Sequence, residues 1–197
     1  MTPANSLLVA DVLKATRNST ERNDAEFHVG REKTIVRASS FVLSMWSGYF
    51  EAMFYGPMKK PGPKDLTNID PATFHRILDF CYVGSLNFES IEDAFNLKEK
   101  ANYLVMKHLE RECDEFLWSR LKPGNVVEFL SLWTDYASFV ERLRRKILQV
   151  ATQDPGKVFM DPSFSSLPKK DVIDLSKLYA PKELKFETIA KWGQDNG

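Results

Sequence analysis

The stretch "SGYFEAMFYGPMKK", from Ser47 to Lys60, decides how the rest of the sequence is interpreted. Serine before a run of apolar residues at three- and four-residue spacing predicts the start of a helix. Phe50 and Met53 suffice for one buried stripe, so the other large apolar side chains exceed what a core needs. Aromatic residues and methionine are enriched at the centres of protein interfaces. The helix is therefore predicted to offer a partner surface through its surplus residues, Tyr49, Phe54, Tyr55 and Met58.

Composition limits the classes of function. The 197 residues allow one domain or two small ones, and 43% hydrophobic residues are enough for a core. Lys+Arg and Asp+Glu number 27 each, so the chain carries no bulk charge to hold a nucleic acid or a membrane. We expect Cys81 and Cys113 to be reduced core thiols of an intracellular protein, located in the cytoplasm, the nucleus or both.

Upstream of this helix, "AEFHVG" and "KTIVRA" predict two strands around a turn at Gly30. Downstream, a proline-rich loop leads to a third candidate strand in "DLTNI", and "SLNF" (85–88) is interpreted as a short edge strand. Asp70 and Pro71 mark a helix start, because an acid caps the free N–H groups and proline fits the first helical position. That helix is predicted to end at Gly84.

Only helical patterns follow residue 90. The sequence thus predicts an α/β (α+β) domain, with a small sheet flanked by helices, followed by an all-α domain, divided near Pro123. In the second domain, the basic run "RLRRK" (142–146) is expected to form a solvated helix face. At the N-terminus, one helical face carries an apolar stripe that needs a neighbour, either its own domain or a second copy of the chain. The stripe consists of Leu8, Val9, Val12 and Leu13.

No catalytic or metal-binding pattern is evident. The three histidines, His28, His75 and His108, are far apart in sequence and do not have metal-ligand spacing with cysteine or acid. No motif that activates a serine or cysteine nucleophile is present. The sequence therefore predicts a protein that is not an enzyme and has no cofactor or metal.

Several motifs occur in a fixed order: an aspartate before the first strand, the Ser-x-Tyr-Phe-x-Ala-Met-Phe helix, the Asp-Pro-x-x-Phe helix start, the Tyr-x-Gly turn, and Ala-x-x-Leu followed by Cys-x-x-Phe-Leu. Taken together, they resemble the BTB/POZ family over residues 5–121. Residues 122–197, with "LKPGNVVEFLSLW" and "ELKFETIAKW", are similar to part of a BACK domain, the helical module that often follows BTB.

The resemblance implies a three-stranded sheet, dimerisation through the N-terminal helix and service as a substrate adaptor of a cullin-3 RING ubiquitin ligase. The expected partners are a second copy or another BTB protein, cullin-3 and an unidentified substrate protein, with no nucleic acid and no membrane. The dimer contacts would be Leu8, Val9, Val12 and Leu13. The cullin contacts would be Tyr49, Phe54, Tyr55, Met58, Lys60 and Tyr103.

Two departures from the family pattern open alternatives. Cullin-binding members carry hydrophobic-x-Glu where this chain has Met58-Lys59-Lys60, so a scaffold that dimerises without binding cullin is the alternative. The family also places His and then a basic residue at Ser39 and Ser40, and this base forms a charged pocket with the acid at Asp24. Without that base, transcriptional co-regulation is a more distant alternative. We expect Asp24 to be satisfied by hydroxyl or backbone N–H groups, because a lone buried carboxylate is costly.

Overall fold

The structure is a computed structural model. It describes residues 12, 15–17, 19, 21–57, 59, 61–135, 141–178 and 180–196, without the side chains of 133–135 and 141–142. The chain divides into two compact units: Met1–Glu89 with Asn96–Asp114, and Ser90–Phe95 with the remainder from Glu115.

A three-stranded sheet forms one layer of the first unit. Its strands are β1 (Ala25–Val29), β2 (Thr34–Ala38) and β3 (Lys64–Leu66), in the order β2-β1-β3. β1 pairs antiparallel with β2 and parallel with β3. Alternate β1 residues are buried, which follows from the two-residue period of a strand. Gly30 has the positive φ of 71° that the turn after β1 requires.

Two short helices follow the hairpin, α1 (Ser40–Trp46) and α2 (Gly48–Tyr55). Ser47 separates them and its hydroxyl accepts a hydrogen bond from the N–H of Phe50, as the sequence predicted for a helix start. α3 (Pro71–Val83) begins at Asp70, whose carboxylate accepts from the N–H of Thr73 at 2.9 Å. It ends at Gly84, which has a φ of 82°.

The core of the first unit lies between the sheet and the helices, and aromatic rings occupy its centre. Phe27 of β1, Phe50 of α2 and Phe74 of α3 are fully buried. The Phe27 ring centroid lies 5.6 Å from that of Phe50 and 5.2 Å from that of Phe74. Such edge and tilted contacts stabilise ring pairs beyond the area they bury. α2 is therefore fixed to the sheet through its buried face.

α4 (Ile91–Tyr103) and α5 (Lys107–Arg120) come next, and the rest of the described chain is helical. The second unit contains single 3₁₀ turns at Pro123–Asn125 and Pro162–Ser166. Its α-helices are α6 (Val126–Asp135), α7 (Glu141–Ala151), α8 (Pro155–Phe159), α9 (Lys169–Ser176) and α10 (Lys182–Asn196). The predicted fold class, a small sheet flanked by helices and then an all-α region, is confirmed.

Two predictions about local structure were wrong. Residues 85–88 form no strand; the half-buried Leu86 and Phe88 pack against the core, and Arg76 donates to the carbonyl of Asn87. The basic run on α7 is not a uniformly solvated face, because Arg144 is buried and pairs with Asp171 at 2.5 Å and Asp174 at 2.8 Å. A charge pattern cannot reveal two aspartates supplied by a later helix.

The prediction for the two cysteines is confirmed. Cys81 and Cys113 are both buried free thiols, and burial raises the pKa of Cys81 well above its ordinary value. In the part of the chain that the structure describes, every helix is too short or too polar to cross a membrane.

Candidate partner-binding surface

The aromatic residues of α2 that were predicted to face a partner differ in solvent exposure. Tyr55 is 59% exposed, whereas Phe54 is half-buried and packs edge-on against Phe27 with centroids 6.0 Å apart. Phe54 thus contributes to the core as well as to the surface. Met58 and Lys60 lie outside the described residues; Lys59, between them, is exposed.

Backbone contacts bring the turn between α4 and α5 against the start of α2. The N–H of Gly48 donates to the carbonyl of Val105 at 3.3 Å, and the N–H of Tyr49 donates to that of Leu104 at 3.4 Å. The Ser47 hydroxyl donates to the same Leu104 carbonyl at 2.5 Å. Tyr103 is thereby placed beside α2, although the two are far apart in sequence.

Tyr49 and Tyr103, both predicted from sequence, form one aromatic pair. Their ring centroids are 5.4 Å apart with the planes inclined by 39°. Burial, the hydrogen bond to Tyr103 and electrostatic repulsion from Tyr103 raise the pKa of Tyr49 to about 12. The Tyr49 hydroxyl is therefore a neutral hydrogen-bonding group at physiological pH. Tyr103 is 41% exposed, so the pair extends the surface of α2.

Val105 is a surface residue that sequence reasoning missed. It is 46% exposed and adopts a φ of 54°, which is unusual for a β-branched side chain. A Cβ on the neighbouring Gly48 would lie 3.3 Å from Val105 Cγ1, so the glycine allows the close approach. Nothing in the sequence around "NYLVMK" marks Val105 as left-handed, because glycine and asparagine are the usual signals.

Asp24 is satisfied as expected from the sequence. The N–H of Ser40 donates to one carboxylate oxygen at 2.7 Å and the Ser40 hydroxyl donates to the other at 2.6 Å. Arg37 pairs instead with Glu26 at 2.8 Å. Partial burial alone would raise the pKa of Asp24, but the hydrogen bonds from Ser40 outweigh it and lower that pKa.

Exposed apolar side chains also occur at Val12 and on α1. Val12 is 55% exposed; Leu8, Val9 and Leu13, the other residues of the predicted dimer contact, lie outside the described residues. The helical residues that follow are anchored, because Arg17 pairs with Asp79 and donates to the carbonyl of His75. Sequence reasoning missed two exposed residues on one face of α1, Phe41 and Met45, whose four-residue spacing was an available signal.

The BTB/POZ domain family matches residues 13–121, which is more than half of the chain. The chain belongs to the BTB/POZ family. Domains of this family act as protein-interaction modules, which agrees with an exposed aromatic surface on a rigid scaffold. The predicted start at residue 5 and the BACK-like domain at 122–197 stay predictions.

The BTB/POZ match extends to individual proteins. Mouse Kelch-like protein 28 is 34% identical over 117 residues, which are 58% of this chain and 20% of that protein. Human Kelch-like protein 11 is 26% identical over 181 residues, or 87% of this chain and 24% of that protein. The solved BTB domain of zebrafish PATZ1 is 26% identical, covering 59% of this chain and 94% of its own, with a TM-score of 0.49. The chain spans about a fifth to a quarter of the two Kelch-like proteins.

The histidines of this BTB/POZ protein lie apart in the structure too. His28 is near Glu26 and Asp65 on the sheet, His75 contacts Arg17, and His108 packs edge-on against Trp46. Within the described residues, no group of three or more histidine, cysteine, aspartate or glutamate side chains is placed to hold a metal ion.

Proposed function

We propose that this chain is a dimeric, non-catalytic adaptor that recruits a substrate protein to a cullin-3 RING ubiquitin ligase. The adaptor does no chemistry itself. It raises the local concentration of the substrate near the ligase, and a dimer adds avidity because two copies engage at once. The membership of the BTB/POZ family and the similarity to Kelch-like proteins support this role.

One observation carries the proposal: α2, the end of α4 and the turn after it expose Tyr55, Tyr103 and Val105, with the half-buried Tyr49 paired to Tyr103, on a backbone held by hydrogen bonds. Tyrosine is among the residues that dominate binding energy when it is buried at the centre of an interface. The buried Phe50 anchors the same helix in the core, so the surface requires little rearrangement on binding.

A matched titration tests the proposal. The N-terminal region of cullin-3 is titrated calorimetrically into the native chain, into Tyr103→Ala, and into Ile35→Ala as a control for an exposed residue on the sheet. We expect binding by the native chain, weaker binding by Tyr103→Ala and no change for Ile35→Ala. No binding by the native chain under any salt condition contradicts cullin recruitment.

A second candidate function is a BTB scaffold that dimerises but does not bind cullin. The two lysines at positions 59 and 60 favour it, because a base in place of an acid turns attraction into repulsion if the partner offers a cation. The variant Lys60→Glu separates the two functions. Binding that appears only in Lys60→Glu supports a silenced site, whereas no binding by either form supports a cullin-independent scaffold.

A further inference from the structure

Tyr55 has an unusual combination of exposure and constraint. Its ring is more than half exposed, yet its hydroxyl oxygen lies 3.2 Å from the hydroxyl oxygen of Ser40. Ser40 is in turn held by both oxygens of Asp24, at 2.7 Å through its N–H and at 2.6 Å through its hydroxyl. An exposed side chain is thus connected through one serine to Asp24, the residue immediately before β1.

The direction of these hydrogen bonds follows from the chemistry of the groups. An ionised carboxylate only accepts, so the single hydroxyl proton of Ser40 goes to Asp24. The Ser40 oxygen is then left with lone pairs, and the tyrosine hydroxyl must be the donor. Hydrogen bonds aligned in this way polarise and strengthen one another. The chain runs from Tyr55 to Ser40 to Asp24.

The ring of Tyr55 is also held at its side. Its centroid lies 6.5 Å from that of Phe54 with the planes inclined by 65°, an edge-on arrangement. Phe54 is itself fixed against Phe27 of the sheet. Contact at one side and a hydrogen bond at the hydroxyl restrict both side-chain torsions of a residue that solvent would otherwise leave mobile.

We propose that Asp24 and Ser40 are positioning residues that hold the exposed ring of Tyr55 in one orientation, ready for a protein partner. A partner then does not have to immobilise this side chain, which otherwise costs part of the binding free energy. The identity of the partner rests on the proposed function, whereas the orientation of the ring is a property of the free chain.

The orientation is tested in the free protein. The six tyrosines are labelled with 3-fluorotyrosine, and Tyr55→Phe assigns the Tyr55 signal in the ¹⁹F NMR spectrum. We expect Ser40→Ala to move that signal toward the position of free fluorotyrosine. The control is Ser44→Ala on the same helix, whose hydroxyl bonds only to the Ser40 carbonyl and should leave the signal in place. An unchanged signal in Ser40→Ala overturns the proposal.

The role in binding is tested by affinity for the N-terminal region of cullin-3. Tyr55→Phe removes only the hydroxyl, so it reports on the hydrogen bond even if Ser40→Ala folds poorly. Each variant is expected to bind roughly two- to tenfold more weakly, and the double variant no more weakly than either. Equal affinities, or losses that add, overturn the binding role. If the native chain does not bind cullin at all, the proposed function fails, and the ¹⁹F result still decides the orientation.

Discussion

The backbone N–H of Gly48 donates a hydrogen bond to the carbonyl oxygen of Val105, a residue held in the left-handed region at a φ of 54°. This contact joins the first residue of α2 to the turn that carries Tyr103. A left-handed conformation costs an L-residue about 1–2 kcal/mol, so the strain is located on the candidate partner-binding surface and not in the core. Strained backbone is often found at binding sites, where the surrounding structure maintains it.

Relief of this strain should be measurable. Val105→Gly is expected to raise the free energy of unfolding by about 0.5–1 kcal/mol, because the strain removed exceeds the extra entropy of glycine in the unfolded chain. Urea denaturation measures the change. Lys33→Gly is the control. Lys33 has a φ of 52° but no branched Cβ, so this variant should show a smaller increase in the free energy of unfolding. A loss of stability in Val105→Gly would show that Val105 is not strained.

The ion pairs of Arg144 should contribute strongly to the stability of the second unit. Arg144→Ala is expected to lower the free energy of unfolding by about 3–5 kcal/mol, because it leaves the buried Asp171 without its cation. Arg145→Ala, at the next position on α7 and exposed, should change stability by less than about 0.5 kcal/mol. Chemical denaturation of both variants checks the contrast, and equal effects would rule out the buried pair as its cause.

The hydrogen bonds of Asp24 predict a particular dependence of stability on pH. The pKa of Asp24 is lowered in the folded chain, so its contribution is present above the ordinary carboxyl pKa of about 4 and is lost as pH falls through the folded value. Asp24→Asn should therefore be about 1 kcal/mol less stable than the native chain at pH 7, and this difference should shrink as pH falls through the lowered pKa of Asp24. Urea midpoints across this range test the sign; a gap that widens in acid would refute it. Glu21→Gln, at an exposed position, is the control.

The proposed dimer can be tested at Val12. Val12→Asp places a charge on the apolar stripe of the N-terminal helix and should convert dimers into single chains, which light scattering detects as a halved particle mass. Ile35→Asp introduces the same charge at an exposed apolar residue of the sheet and should leave the mass unchanged. A Val12→Asp protein with the mass of two chains would place the dimer contact elsewhere.

Much of the fold was predictable because its signals are local. The caps at Ser47 and Asp70, the glycine turns and the alternation in β1 depend on neighbouring residues, and the structure has them where the sequence placed them. The burial of Phe50 likewise follows from helical spacing. These features are fixed by conformational preference and by the period of each element.

The candidate site was less predictable because it depends on contacts between distant segments. The pairing of Tyr49 with Tyr103 requires the turn after α4 to contact α2. The hydrogen bonds of Ser40 require Asp24 and Tyr55, which are distant in sequence, to lie on either side of it. The wrong prediction of a strand at residues 85–88 also arose because the sequence does not show contacts between distant segments. An alternating apolar pattern there reflects packing of Leu86 and Phe88 on the core, without a neighbouring strand among the described residues to pair with.

The parallel pairing of β1 with β3 also has a consequence for the order of folding. β1 and β2 are adjacent in the chain, but β3 joins only after both short helices and the proline-rich loop have been traversed. Closing such a long loop is slow relative to forming a hairpin or a helix. As the chain leaves the ribosome, the hairpin has its partner at once, whereas β3 and the turn after Tyr103 that contacts α2 are synthesised later. The partner surface is thus complete only after residues 103–105 have been synthesised and have reached α2.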